Sequence, residues 1–418
     1  MARFRKVTLA VPVAGLLLAA ACGSDNSSGS SSATTAAPAT TAAAATTTAG
    51  GATTTAGGAA TTAAGGAVGG KDSLKDICPA TIVLQTDWNP EAEHGHLYQM
   101  IGAGYAVDAN KKSVSGPLVD SKGNDTGVKF EVRSGGPAIG FSTVTAQMYL
   151  DNSINLGYIY TDEGVQFSKD QPTTAVFAPF EKNPQMIMWD PASFPNVQTI
   201  ADLGKTDTKI LYFNTAAYME DYLVPTGVLK KDQTDGSYDG SPANFVSSGG
   251  KVAQQGFASA EPYIYENEIS EWKKPVKFQL IHDTGYPIYS QAVSVKTGDL
   301  QTMAPCLKKL VPIMQQAAVD YAKSPAKTNA LILELVQKYN NGWVYSQGVA
   351  DYAVKTMLDL GLVGNGPDKA LGNMEDARIQ KIIDIVGPAL KTQGKDIKAG
   401  LTPADVATNE FVDMSIGL

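Results

Sequence analysis

From residue 81 onward the chain alternates between two hydrophobic rhythms. The short runs TIVLQT (81–86), VKFEVRS (128–134), INLGYIYT (154–161) and TAVFAPF (174–180) are rich in β-branched and aromatic residues. Behind the first two lie stretches with helical spacing, HGHLYQMIGAGY and GGPAIGFSTVTAQMYL. Such runs belong to buried strands, and strand–helix alternation marks an α/β fold with a parallel sheet. A second set follows. IADLGKTDTKILYFN (200–214) predicts a short helix, a loop and a strand, with another helix from near Ala217. GKVAQQGFASAEPYIYENEI (250–269) predicts a strand, a turn and a helix, and KFQLIHD (277–283) a further strand. The Gly/Ser/Asp-rich stretch 235–250 and the long Gly/Asp/Lys stretch 108–127 read as loops. From Pro305 the spacing is helical to the C-terminus.

Two segments share one plan. FAPFEKNPQMIMWD (177–190) and LIHDTGYPIYSQAVSV (280–295) each join a β-rich run, a Pro-containing polar break and another β-rich run. A chain that leaves one lobe and later returns needs two such crossings. The expected division is a first lobe over 71–183, a second over 184–284, and a return over 285–418 that completes the first lobe and adds C-terminal helices. Strand ends and helix N-termini from both lobes would then face a common cleft.

The N-terminal end changes the setting. Arg3, Arg5 and Lys6 precede an apolar stretch, Val7 to Ala21, too short to span a membrane. Residues 1–21 thus read as an export signal. LLLAAAC runs into Cys22 as a lipoprotein signal does, which predicts a lipid on Cys22; a plain secretory cut near Ala20 or Ala21 is the other reading. Residues 22–70 are almost entirely Ser, Thr, Ala and Gly, too polar to bury a core. They are expected to form a flexible tether roughly 35–40 Å from end to end. The predicted location is therefore extracytoplasmic, with a lipid anchor in the membrane.

Composition narrows the partners. A formal net charge of −8 argues against nucleic acid, and beyond the leader the arginines are Arg133 and Arg378 alone. With Cys22 lipidated, Cys78 and Cys306 remain as an even pair in an oxidising compartment. A disulfide between them is expected, with two separate buried thiols as the alternative.

Candidate chemistry centres on TDWNPEAEHGHLYQMIGAGY (86–105), in which Asp87, Trp88, Asn89, His94 and His96 are a metal site, a catalytic pair or the wall of a cleft. Trp88 at a strand end offers a flat face for stacking a ring. His94 either hydrogen-bonds a ligand or holds the strand-to-helix turn rigid. His94 and His96 would share a face only on a strand, with no third histidine near and no HExxH, so no metal and no cofactor are expected. The Gly135-Gly136-Pro137 turn precedes a helix, and its N–H groups are candidates to receive an anion or carboxylate. Tyr160, Thr161, Asp162 and Glu163 follow the third strand on the same side. Across the cleft stand Tyr212, Asn214 and Tyr218, while Tyr286 and Tyr289 at the return crossing are aromatic walls or hinge packing. No GxSxG motif is present, and binding without bond chemistry is expected, so the chain is not read as an enzyme.

With these residues in place, the chain resembles the solute-binding lipoproteins of ABC importers, in the branch shared by thiamine-pyrimidine-precursor, nitrate, sulfonate and taurine binders. DWNPEAEHGHLY is similar to a pattern after the first strand of the pyrimidine-precursor binders, supplied here by Asp87, Trp88, Pro90, His94, Leu97 and Tyr98. VQTIADLGKTDTKILY, HDTGYPIYSQAVSV and DYAKSPAKT are similar to the branch's entry to the second lobe, its return crossing and the helix beyond. The resemblance implies a two-lobe, type II periplasmic-binding-protein α/β fold that is monomeric, closes on a small molecule and delivers it to a membrane permease. It implies that Glu261 pairs with ligand amines, and that the ligand is flat and nitrogen-containing or aromatic. A small anion such as a sulfonate or nitrate, or a role as a ligand sensor, are the alternatives. The chain departs from the branch at Glu91, where Asn is common, at His96, where Gly is common, and at the long 108–127 segment. A pyrimidine synthase shares the fold branch, but its Lys, His and Cys-rich motif fall here on Ile159, Glu163 and YPIYSQ.

Overall fold

The computed structural model describes residues 72–214 and 216–418; the export signal, Cys22 and the tether lie outside the described residues. The strands are β1 (Thr81–Gln85), β2 (Ala106–Asp108), β3 (Ser113–Val119), β4 (Asp125–Arg133), β5 (Leu156–Ile159), β6 (Thr173–Phe177), β7 (Gln185–Trp189), β8 (Ile210–Leu211), β9 (Thr234–Asp235), β10 (Ala253–Phe257), β11 (Lys277–Leu280) and β12 (Ala292–Lys296). The helices are α1 (Gly95–Gln99), α2 (Val144–Leu150), α3 (Thr161–Gln166), α4 (Ile200–Leu203), α5 (Ala243–Ser247), α6 (Glu261–Asn267), α7 (Leu300–Lys323), α8 (Ala326–Tyr339), α9 (Gln347–Asp359), α10 (Asp376–Thr392) and α11 (Pro403–Val406).

Among the described residues two sheets form, one ordered β2-β3-β4-β1-β5-β12-β6 and the other β11-β7-β10-β8-β9. In the first, β4, β1 and β5 are parallel, while β12 runs antiparallel to both β5 and β6. In the second, β9, β8 and β10 are parallel and β7 is antiparallel to β10 and β11. Each sheet thus takes one reversed strand from a chain crossing: β7 after the outward passage, β12 after the return. The α/β class is as expected, with two mixed sheets where the strand–helix alternation predicts a parallel one.

The segment 108–127 is a second correction. Most of it is strand: β3 buries Val114, Gly116 and Leu118 on one face and pairs antiparallel with β2 and β4. Its Ser, Gly and Pro dilute the alternation that would have shown it. The segment lengthens the edge of the first sheet. The expected helix over HGHLYQMIGAGY is also shorter, ending at Gln99, because Gly104 at φ 81° turns the chain toward β2. Near Ala217 the helix is a π-helical turn, Met219–Leu223. The C-terminal helices begin before Pro305, at Leu300, with Pro305 and Pro312 inside α7.

One buried cluster joins β1, β4 and β5 to α1, α7, α8 and α9 through residues such as Leu84, Phe130, Leu97, Met314 and Leu335. A second joins Val165 of α3, Ile187 and Trp189 of β7, Met219 and Leu223 of the π-helical turn, and Ile379, Ile382 and Val386 of α10. Helix α10 packs on both α3 and the π-helical turn, so it touches elements attached to both sheets. Cys78, just before β1, is disulfide-bonded to Cys306 in α7. No described helix is long and apolar enough to cross a membrane.

Candidate functional site

The parallel strands of the two sheets end around one cavity of ≈ 220 Å³. Asp87, Trp88 and Glu91 reach it from the end of β1, Gly136 and Phe141 from behind β4, and Tyr160, Asp162 and Glu163 from behind β5. Phe213 and Tyr218 come from behind β8, Tyr238 from behind β9, and Glu261 from the start of α6 behind β10. Trp343, between α8 and α9, closes one side. Loops at strand C-termini are where open α/β sheets place their ligands.

Trp88 is the centre of the apolar wall. Its ring lies 5.4 Å from that of Phe213, edge-on at 69°, and 6.0 Å from those of Phe141 and Trp343. Phe213 continues to Tyr238 at 4.8 Å, so the wall runs from one sheet to the other. Gly136 allows this: at φ 53° a Cβ there would stand 2.6 Å from the Trp88 ring. The N–H groups of the Gly-Gly turn are spent. Gly135 N donates to Trp88 O at 2.9 Å and Gly136 N to Asp87 O at 2.8 Å, and Pro137 has none. The expectation that this turn receives an anion is therefore corrected: its donors hold the Trp88 loop instead.

The polar wall is acidic. Asp87 accepts from Tyr160 Oη at 2.9 Å, from Gln291 Nε2 at 2.9 and 3.0 Å, and from His94 Nε2 at 3.0 Å. Burial alone would raise its carboxyl, but the bonds and charge of His94, with Gln291 and Tyr160, hold it below its ordinary value. Burial pushes Asp162 up to about 6 although Tyr286 Oη donates to it at 2.8 Å. It pushes Glu163, which accepts from Thr145 N and Oγ1, up to about 7. Glu261 also rises to about 7 on burial, with its Oε2 taken by Phe257 N at 2.7 Å and its Oε1 3.5 Å from Tyr238 Oη. None of the described lining residues is Lys, Arg or His.

These shifts fix a pH dependence. Folded Glu163 and Glu261 hold protons near pH 7 that an unfolded chain releases at their ordinary 4.5. The folded state binds more protons between these values, so stability falls as pH rises through that window. The unliganded protein is expected to show a lower urea midpoint at pH 8 than at pH 5, most of the change falling between 5 and 7. A midpoint that is flat or rises over that interval would contradict the assignment.

Of the residues expected to meet ligand, Trp88, Gly136, Tyr160, Tyr218 and Glu261 line the cavity. The others stand elsewhere. Asn89 is buried behind the wall and accepts from Asn341 Nδ2 at 2.7 Å. His94, fully buried, lies behind the wall with Nε2 3.0 Å from Asp87 Oδ1. His96 turns away to Tyr158 Oη, at 2.9 Å from Nε2, and burial takes it down to about 3. Thr161 Oγ1 accepts from Tyr289 N at 3.0 Å. Tyr212 donates to Glu220 at 2.9 Å, and Asn214 is exposed. Tyr286 stacks on Tyr222 at 5.1 Å, and Tyr289 lies under Arg378 at 3.7 Å, so both pack at the return crossing. The wall residues that sequence reasoning passed over are Phe141, Phe213, Tyr238 and Trp343. Phe213 follows the predicted Tyr212 just beyond β8, whose end at Leu211 leaves no strand parity to read, and Trp343, in the loop between α8 and α9, carried no signal.

No protein-family profile matches the chain, and no curated protein sequence does. Among solved structures it is similar to the alkanesulfonate-binding protein SsuA from Xanthomonas axonopodis pv. citri, at 14% identity and TM-score 0.48 over 79% of this chain and 99% of that one. It is similar to the periplasmic aliphatic sulphonate-binding protein SsuA from Escherichia coli, at 11% identity and TM-score 0.49 over 77% and 90%. It is also similar to the periplasmic nitrate-binding protein NrtA from Synechocystis PCC 6803, at 12% identity and TM-score 0.41 over 78% and 92%. At this distance the likeness says nothing of what this chain binds.

Proposed function

We propose that the protein is the extracytoplasmic solute-binding component of an ABC importer, a lipid-anchored monomer that captures a small ligand and presents it to a permease. The lobes would be 71–183 with 285–418, and 184–284, and they would close by bending the two crossings. The observation that carries this reading is the single cavity walled by strand ends of both sheets, with Trp88 of one edge-on to Phe213 of the other. A ligand bridging those walls favours the closed form by its contacts with both sides.

The lining favours a flat ring bearing an amine. An apolar cavity of about 150 Å³ holds benzene, so ≈ 220 Å³ suits one substituted ring. Aromatic faces take the ring, and carboxylates accept from the amine. A sulfonate or nitrate would meet Asp87, Asp162, Glu163 and Glu261 with no lining cation, and the Gly135 and Gly136 donors are spent.

A thermal-shift screen tests the reading, on protein first unfolded and refolded to strip any carried ligand. The panel is aminopyrimidines, other flat heterocycles, aromatic acids, sulfonates, nitrate and polyamines. A ligand at a hundred times its Kd stabilises the folded state by about 2.7 kcal/mol, a shift of a few degrees. Such a shift with an aminopyrimidine, lost in Trp88→Ala and recovered with the ligand unchanged, is the expected result. A shift with anions alone keeps the receptor and discards the amine. Silence across the panel removes the receptor reading, and binding by a chain encoded away from any permease favours a sensor.

A further inference from the structure

Glu91 stands apart among the lining residues. It is 5% exposed, and its Oε1 has no hydrogen-bond partner. The nearest basic group, His94 Nε2, is 3.7 Å away and already donates to Asp87 at 3.0 Å. Glu93, two residues on, is tied to Ser259 on the opposite side of the cleft. Glu261, also from the opposite side, lines the same cavity, with Oε2 taken by Phe257 N at 2.7 Å and Oε1 at the long distance of 3.5 Å from Tyr238 Oη. A buried carboxylate with an unmet oxygen, Glu91, and a half-buried one with a single weakly held oxygen, Glu261, thus line one cavity from the two sheets. A buried carboxylate is unfavourable unless a donor or a positive charge meets it.

We infer that the ligand carries a formal positive charge, as a protonated amine or an amidinium, and that this group sits between Glu91 and Glu261, making Glu91 a specificity-determining residue. The inference rests on the receptor reading above. Trp88 and Tyr238 in the same wall offer ring faces that attract a cation. Among the described residues no three His, Cys, Asp or Glu side chains are arranged to hold a metal ion, so the cation is organic. Without it the two carboxylates oppose each other as the sides approach; with it they are drawn to a shared charge. The cation is then what makes closure favourable, and neutral isosteres of the same shape gain little.

A proton signature follows. Burial, with the charges of Glu93, Asp87 and Glu261, pushes Glu91 well above its ordinary value. The groups facing it are His94, Asp87, Glu93 and Glu261, with Tyr98, Tyr158, Tyr160 and Tyr345 nearby. A cation favours the ionised carboxylates, so its binding near pH 6 releases protons to the buffer.

Calorimetry on the full chain tests this with benzamidine and benzylamine as cations, benzamide and benzyl alcohol as neutral isosteres, and benzoate as the anion. The cations are expected to bind about tenfold or more tighter than their isosteres. In Glu91→Gln the ratio of cation to isostere affinity, measured within that variant, shrinks to about threefold or less. Binding heat at pH 6 varies with buffer ionisation enthalpy in the parent and less so in Glu91→Gln. Glu261→Gln moves both readouts in the same direction, and urea midpoints confirm that each variant folds. Neutral probes binding as well as cations, or a preference that survives both substitutions, overturns the inference and leaves the receptor standing. Failure of all five probes overturns the inference, while the wider screen alone decides the receptor reading.

Discussion

Cys306→Ser is expected to lower the free energy of unfolding by about 5 kcal/mol, the entropy released when a loop of this size is opened, since Cys78 and Cys306 are 228 residues apart. The bond fastens the segment before β1 to the first turns of α7, elements of one buried cluster, so losing it frees the unfolded chain more than it disturbs the fold. Cys78→Ser and chemical reduction should have the same effect, and the double variant should be no worse than either single one. Urea unfolding with and without a reductant measures it. Coincident curves would mean that the loop is already constrained by other contacts in the unfolded chain.

The second large effect is expected at Arg378. Its guanidinium is buried beneath both crossings: it donates to the Glu181 carboxylate at 2.9 Å and the Glu181 carbonyl at 2.7 Å on the outward one. On the return crossing it donates to the Pro287 carbonyl and, at 3.0 Å, the Ile288 carbonyl, and it lies over the Tyr289 ring. Arg378→Met removes the charge and leaves Glu181 and three carbonyls without their donor, a loss of about 3–5 kcal/mol. Arg378→Lys should recover less than half, because an ammonium cannot fork to both crossings. The double variant Arg378→Met with Glu181→Leu should regain part of the loss. Solution scattering should show a larger radius of gyration for Arg378→Met, since the crossings are then free to bend. A variant as stable and as compact as the parent would mean that α10 packing alone holds the hinge.

What the sequence disclosed about the fold depended on how each element is buried. β1, β5 and β6 are buried along most of their length and β4 on alternate residues, and each shows as a β-rich run, so they were legible. β3 lies toward one edge with Ser, Gly and Pro in its length, and read as a loop. The reversed orientation of β7 and β12 is set by the crossings, which leave a Pro-containing repeat but no mark of direction. For the site, the chemistry was legible and the parity was not. Trp88, Tyr160, Tyr218 and Glu261 reach the cavity, whereas Tyr212, Thr161 and His94 sit one rotation or one layer behind it. Glu91 appeared as a departure from a family pattern, and only its burial shows that it faces the cavity.

The position of α10 bears on how the chain is made. Ile379, Ile382, Val386 and Leu390 complete a cluster begun by Val165 and Ile187, some two hundred residues earlier by rough count. A ribosome delivers a chain from its N-terminus, so α10 emerges after the strands and helices whose interior it seals. Until α10 has emerged, Val165, Ile187 and Met219 lack their covering helix, and the crossings lack the guanidinium that pins them. The second cluster therefore closes only once α10 has been made, long after the strands that it covers.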